Sequence, residues 1–271
     1  MYRVVMYALV EISAELAEQL IGIETGADDA VHQARTGVRR LRSVLSVYRK
    51  AFDREENRRM RARLERLGDR LGDARDWEVR AGDLAGLVDD ETDPDTTAAV
   101  EAMAARAREL QERALDDLLR LLRSRGHREL LADLQRFAAA PPLSEAGAAH
   151  PRRIARKGLR KAASRVQQRA GVSLAERHET RKAARRLRYA AEAVAADNGG
   201  DLGELAARLS PAAEQVQDAL GDHRDLILLA GQLREQSALP GVERIAEDCE
   251  RRAEERLAGL DDALAAIDAA L

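Results

Sequence analysis

The sequence predicts an all-α protein made of two antiparallel helical bundles that arise from an internal repeat. Three observations lead there. Alanine, leucine, arginine and glutamate dominate the composition, and all four are good helix formers. Runs of Val, Ile, Thr and Tyr that would favour strands are nearly absent. Two segments then recur at nearly the same spacing. Val31-His32-Gln33-Ala34-Arg35 with Arg39-Arg40-Leu41-Arg42 matches His178-Glu179-Thr180-Arg181 with Arg185-Arg186-Leu187-Arg188, 146 residues on. Leu71-Gly72-Asp73-Ala74-Arg75-Asp76 matches Leu220-Gly221-Asp222-His223-Arg224-Asp225, 149 residues on. The reading is one domain over residues 1–271, with a first repeat over about 1–139, a linker over about 140–149 and a second repeat over about 150–271. The two halves are expected to share a fold and to be related by a pseudo-two-fold axis.

The elements follow in order. The apolar period through Leu9, Ile12, Leu16 and Leu20 makes a helix of the N-terminal segment, including the strand-like run Tyr2–Tyr7. Gly22, Gly26 and Asp28 separate it from a second helix starting near Asp29. A third is expected over Asp53–Leu71, ended by Gly72 and Asp73, and a fourth over Ala74–Val88. Asp93 followed by Pro94 starts a long fifth helix to about Ser124, and a sixth ends near Ala139. After the linker comes a basic helix over about 150–170, then one capped by Ser173. Another is expected over Asp201–Leu220, broken at Gly221 and Asp222, then one to about Gln236 and a last from Pro240 to the end.

Cys249 is the only cysteine, so no internal disulfide forms, and a cytoplasmic setting is expected. No signal-like segment and no bilayer-spanning apolar stretch is present.

Charge carries the functional signal. The net charge of −3 hides a segregation. Residues 31–52 hold six Lys/Arg and no acid, residues 151–170 hold eight and none, and residues 177–189 hold six beside Glu179. These 55 residues carry +19 and the other 216 carry −22. A solvated surface mixes its signs, and segregation on this scale points to an anion site. At about 100° per residue, Arg35, Arg39, Arg42, Arg49 and Lys50 share an arc with His32, while Arg40 lies toward the flank. Ala34, Val38, Leu41, Leu45, Tyr48 and Phe52 fill the opposite side. His178, Arg181, Arg185 and Arg188 repeat the pattern, and Lys182 and Arg186 extend it. Arg152, Arg153, Arg156, Lys157 and Arg160 form a third basic face. Like charges at i,i+4, such as Arg35–Arg39 and Arg181–Arg185, destabilise a helix by roughly 0.2–0.5 kcal/mol per pair, so an anion that relieves them is expected. Arginine suits phosphate because its planar fork donates two parallel hydrogen bonds.

Several functions compete on these residues. Nucleic-acid backbone binding would use the same cations, but single-strand binders stack bases on aromatic side chains, and only Tyr189 lies on a basic stripe. A phosphohydrolase or polyphosphate-processing enzyme would need a nucleophile–base constellation or a metal cluster, and neither is legible. No metal site and no cofactor are expected, because His32 and His178 lack further ligands at suitable spacing. The Leu-Gly-Asp segments read as structural breaks rather than catalytic motifs.

The segment Asp29-Ala30-Val31-His32-Gln33-Ala34-Arg35-Thr36-Gly37-Val38-Arg39-Arg40-Leu41-Arg42, its counterpart His178–Tyr189 and the two Leu-Gly-Asp segments resemble the CHAD domain family. The resemblance covers essentially the whole chain. It implies two helical bundles related by a pseudo-two-fold, with basic helices facing a shared groove or pore. It also implies non-catalytic binding of inorganic polyphosphate and association with polyphosphate granules. The family's His and Arg positions fall on His32, Arg35, Arg39, Arg40 and Arg42, and on His178, Arg181, Lys182, Arg185, Arg186 and Arg188. The third basic face rests on the helical wheel alone. Some members are fused to a CYTH triphosphate-tunnel domain. No Glu-x-Glu-x-Lys motif occurs in these 271 residues, so that catalytic function is not carried over.

Overall fold

A computed structural model describes residues 2–89, 92–195 and 201–271, with the side chains of residues 2–4 excepted. Among them the regular structure is helical, apart from one isolated antiparallel bridge between Phe52 and Leu143. In chain order the helices are α1 (Tyr2–Thr25), α2 (Ala30–Val47), α3 (Arg54–Ala85), α4 (Pro94–Leu122), α5 (Arg125–Ala139) and α6 (Glu145–Ala149). Then follow α7 (Pro151–Gln167), α8 (Leu174–Ala195), α9 (Asp201–Gln236), α10 (Pro240–Glu255) and α11 (Leu260–Ala269).

Local chemistry sets many of the boundaries. The Asp53 carboxylate accepts from the backbone N–H groups of Glu55 and Glu56 at 3.0 Å, which starts α3. Asp93 does the same for Thr96 ahead of α4, with Pro94 in the first turn. Ser173 and Glu176 form a reciprocal box at the start of α8: the serine hydroxyl accepts from the Glu176 N–H, and the Glu176 carboxylate accepts from the Ser173 N–H. Gly26 and Gly259 adopt left-handed φ values of 73° and 82°, which end the preceding turns.

Three expected boundaries are corrected. The break at Gly72 and Asp73 does not exist, because α3 runs unbroken for 32 residues. The break at Gly221 and Asp222 does not exist either, because α9 runs for 36. Leu71 and Ala74, like Leu220 and His223, are buried on the helix faces that carry the chain past these glycines. The last helix is instead two, α10 and α11, divided at Gly259.

The main core joins α1, α2, α5, α7, α8 and α11 with the N-terminal halves of α3 and α9 and the end of α4. A second core lies among the distal halves of α3 and α9, the start of α4 and α10; it contains Leu84, Met103, Leu233, Val242 and Cys249. The linker is docked. The Asp53 N–H donates to the Pro142 carbonyl at 2.7 Å, the Ser144 N–H to Ala51 at 3.0 Å, and the Ser144 hydroxyl to Lys50 at 2.7 Å. Short α6 then presses Gly147 so closely on this turn that an added Cβ would stand 2.0 Å from the Ala51 carbonyl oxygen.

These contacts give opposite expectations for two glycines. Gly147→Ala must move backbone against backbone, and overpacking of that kind costs about 1–3 kcal/mol. At Gly37 a Cβ would meet Leu16 at an ordinary 3.5 Å, so Gly37→Ala stabilises by about 0.4–1 kcal/mol through the unfolded chain. Urea denaturation midpoints of the two variants check both signs.

Candidate polyanion-binding site

The two motif helices pack directly on each other, with α3 flanking α2 and α9 flanking α8. Ala34, Val38, Leu41 and Leu45 of α2 and Ala184, Leu187, Ala191 and Val194 of α8 are buried, as their apolar spacing requires. Tyr48 fastens the pair. It is buried, and its hydroxyl donates to the Ala190 carbonyl of α8 at 2.5 Å. The basic rows lie beside this seam, and their arginines are partly buried rather than free in solvent.

Several of these cations meet acids. Arg42 pairs with Glu65 of α3, and Arg188 with Glu214 of α9 at 2.6 Å. These two bridges stand 146 residues apart on the motif helices and 149 apart on the flanking helices, the same offsets as the sequence repeat. Arg35 meets Asp76 of α3 at 2.6 Å, Arg40 meets Glu15 of α1 at 3.0 Å, and Lys182 meets Glu179 at 2.6 Å.

The middle of each row has no such partner. Neither Arg39 nor Arg185 forms an ion pair or side-chain hydrogen bond among the described residues. Burial pushes Arg39 down to about 10, helped by the positive charges of Arg35 and Arg181. Burial pushes Arg185 to about 9, helped by Arg39 and Arg181. The two arginines therefore feel each other across the α2–α8 seam, at positions 146 residues apart. Arg186 is lowered by burial and then by Arg169, Arg42 and Arg61; Arg61 is lowered by burial and then by Arg42 and Arg49. Repulsion thus links Arg181 with Arg39, Arg39 with Arg185 and Arg185 with Arg186, on which Arg42 and Arg61 also act. Such a row is costly without an anion and ready-made for an elongated one.

The glycines that looked like helix breaks are seats for the motif arginines. A Cβ on Gly221 would lie 3.1 Å from Nε and Nη2 of Arg181. A Cβ on Gly72 would lie 3.8 Å from Nη2 of Arg35. Each glycine weakens its long helix by about 1 kcal/mol relative to alanine, and each lies under a guanidinium.

Other expected residues fall elsewhere. Arg49 and Lys50 are exposed in the turn after α2; the helix ends at Val47, so the helical-wheel angles do not apply to them. The chain leaves the helix there because Phe52 bridges to Leu143 and Asp53 must cap α3. Arg152, Arg153, Arg156, Lys157 and Arg160 are exposed on α7, and Arg156 pairs with Asp201 at 3.0 Å. The charges that act most strongly on Arg39 and Arg185 are motif arginines, not those of α7. His32 and His178 are partly buried, and burial with Arg224 and Lys182 lowers His178. Among the described residues no group of three His, Cys, Asp or Glu side chains is placed to hold a metal ion. The sequence did not assign Arg61, Arg169, Glu65 or Glu214 to the site, and it placed Asp76 and Arg224 in structural Leu-Gly-Asp segments rather than beside the motif cations. The matching offset of Glu65 and Glu214 was the available signal for two of them.

Comparison with known proteins fixes the family. The family model for the CHAD domain matches residues 8–234. The chain belongs to the CHAD domain family. It is 31% identical over 239 residues to the uncharacterized protein Rv2226 of Mycobacterium tuberculosis strain H37Rv, covering 83% of this chain and 44% of that protein. The uncharacterized protein MT2285 of strain CDC 1551 matches to the same extent. The chain therefore spans less than half the length of these curated relatives. Its all-helical fold matches PptA from Streptomyces chartreusis, with a TM-score of 0.70 at 19% identity over 100% of this chain and 98% of that one. It also matches the CHAD domain of the plant Ricinus communis, with a TM-score of 0.69 at 21% identity over 99% and 92%.

The two glycine seats differ in tightness, and this is testable. With inorganic polyphosphate as the probe of the function proposed below, Gly221→Ala, which crowds the Arg181 guanidinium, is expected to lower affinity several-fold, whereas Gly72→Ala, with ordinary contact distances, is expected to leave it within twofold. Equal effects in a titration of the two folded variants would contradict the seating role.

Proposed function

We propose that this CHAD domain binds inorganic polyphosphate without catalysis, along the cations that α2 and α8 bring together. The observation that carries the proposal is the pair Arg39 and Arg185, partly buried, within reach of each other's charge and without an ion-paired acid among the described residues; Asp76, already bridged to Arg35, offsets the charge around Arg39 only in part. A family known for polyphosphate binding supplies the ligand. A linear chain of phosphates meets a row of guanidinium groups one after another, and each fork can take two phosphate oxygens. In this reading the two halves are related by a pseudo-two-fold and would present the rows to one groove between α3 and α9. The exposed cations of α7 would serve as an outer approach surface. Association with polyphosphate granules in the cytoplasm fits this role; no described helix is long and apolar enough to cross a membrane.

Nucleic-acid backbone binding is less well supported. Tyr189, the aromatic residue on a basic stripe, is only 8% exposed and sits beside Arg188, so it offers no open ring for a base. Hydrolysis is less well supported, because the groups acting on Arg39 and Arg185 are further arginines, a buried tyrosine and Asp76, which is paired with Arg35, rather than a nucleophile with its base.

Replacing both central arginines by methionine keeps their apolar stems and removes their repulsion. Arg39→Met with Arg185→Met is expected to raise the unfolding midpoint in the absence of ligand and to lower polyphosphate affinity at least tenfold. Wild-type affinity should also fall linearly on a logarithmic scale with salt, and RNA at equal phosphate concentration should compete poorly. A folded double variant that binds like wild type would sink the assignment.

A further inference from the structure

The two halves of the site are not equivalent, and we infer that the second half holds an anchoring subsite for a single phosphate group, formed by His178, Arg181 and Arg224 with Lys182 at its edge. This rests on the proposed function and goes beyond it by giving the polyanion a preferred end.

The asymmetry is visible position by position. In the first half Arg35 is neutralised by Asp76 at 2.6 Å. In the second half the matching Asp225 lies 4.0 Å from Arg224, and Arg181 has no ion pair among the described residues. Arg75 of the first half lies 2.9 Å from Glu78 and 4.0 Å from Asp29. The positions matching those two acids are Ile227 and Ala175, so Arg224 has lost both. Thr36 is matched by Lys182, and Gln33 by Glu179, which holds Lys182 at 2.6 Å and also meets Arg169 at 2.9 Å. With two acids and one neutral residue exchanged for two apolar residues and a lysine, and Glu179 set against them, these four positions together are more positive by two charges in the second half than in the first.

Arg181, the cation of this group without an ion pair among the described residues, comes with spare hydrogen-bonding capacity beside it. Nδ1 of His178 and Nε of Arg181 are both buried without a partner. His178, Arg181 and Lys182 stand at i, i+3 and i+4, on one face of α8. Arg224 comes from the adjacent face of α9, one turn beyond Gly221, which seats Arg181. It is also the strongest charge acting on the His178 ring. A terminal phosphate carries more negative charge than a bridging one, so the end of a chain suits this pocket better than its middle. Bound there, it would accept from Arg181 and Arg224 and favour a proton on His178.

The test follows the histidine imidazole signals of the intact protein by NMR while pyrophosphate is added. The groups facing His178 are Arg181, Lys182 and Glu179 from α8 and Arg224 from α9. Pyrophosphate should move the His178 signal and raise its pKa at concentrations at least tenfold below those that affect His32. Arg224→Met and Ile227→Glu should each weaken that response at least fivefold. Ile227→Glu only restores the carboxylate the first half already carries, on a partly exposed position. A His32 response at the same concentration, or an unchanged His178 response in both folded variants, overturns the inference. If pyrophosphate engages His178 while long-chain polyphosphate does not bind the wild type, the subsite stands and the polyphosphate assignment falls.

Discussion

Arg39 and Arg185 are held close enough to repel each other, and the packing of α2 on α8 keeps them there. The seam is made of small and branched apolar side chains, and the buried Tyr48 hydroxyl ties it to the Ala190 carbonyl. Moving the helices apart would relieve the charge but expose that seam. Burial of the apolar faces therefore fixes a cationic row that the free protein would not otherwise favour.

The surroundings limit the cost without removing the row. Glu65 and Glu214 hold Arg42 and Arg188, while Asp76 holds Arg35. The glycines at 72 and 221 let guanidinium groups lie against two long helices, which stay intact because each is gripped by both cores. The centre of the row, Arg39 and Arg185, has no ion-paired acid among the described residues, and the proposed function gives that place to an external anion. In the second half the neutralising acids of the first are partly replaced by Ala175 and Ile227, so fewer carboxylates offset the cations there.

Much of this was legible in the sequence. The helical class followed from composition and period, and the basic rows from their spacing opposite apolar stripes. The starts of α3, α4 and α8 followed from Asp53, Asp93 and Ser173. The Leu-Gly-Asp segments were misread because glycine ends helices in isolation, whereas here its missing side chain answers an arginine from another helix. A wheel drawn through Phe52 overextended α2, because the turn is set by contacts with residues 142–144, far along the chain. Arg61 was not singled out, and Arg224 was read as structural only, for a related reason. Each joins the cations through tertiary packing, and a single helix viewed alone does not show which neighbour its face will meet.

The central claim is that a polyanion occupies the row shared by α2 and α8. A crystal structure of the protein with inorganic polyphosphate tests it most directly. The account predicts phosphate density running past Arg39 and Arg185, with their guanidinium groups within hydrogen-bond distance of its oxygens. Density confined to the exposed face of α7, with Arg39 and Arg185 making no phosphate contact, would contradict it.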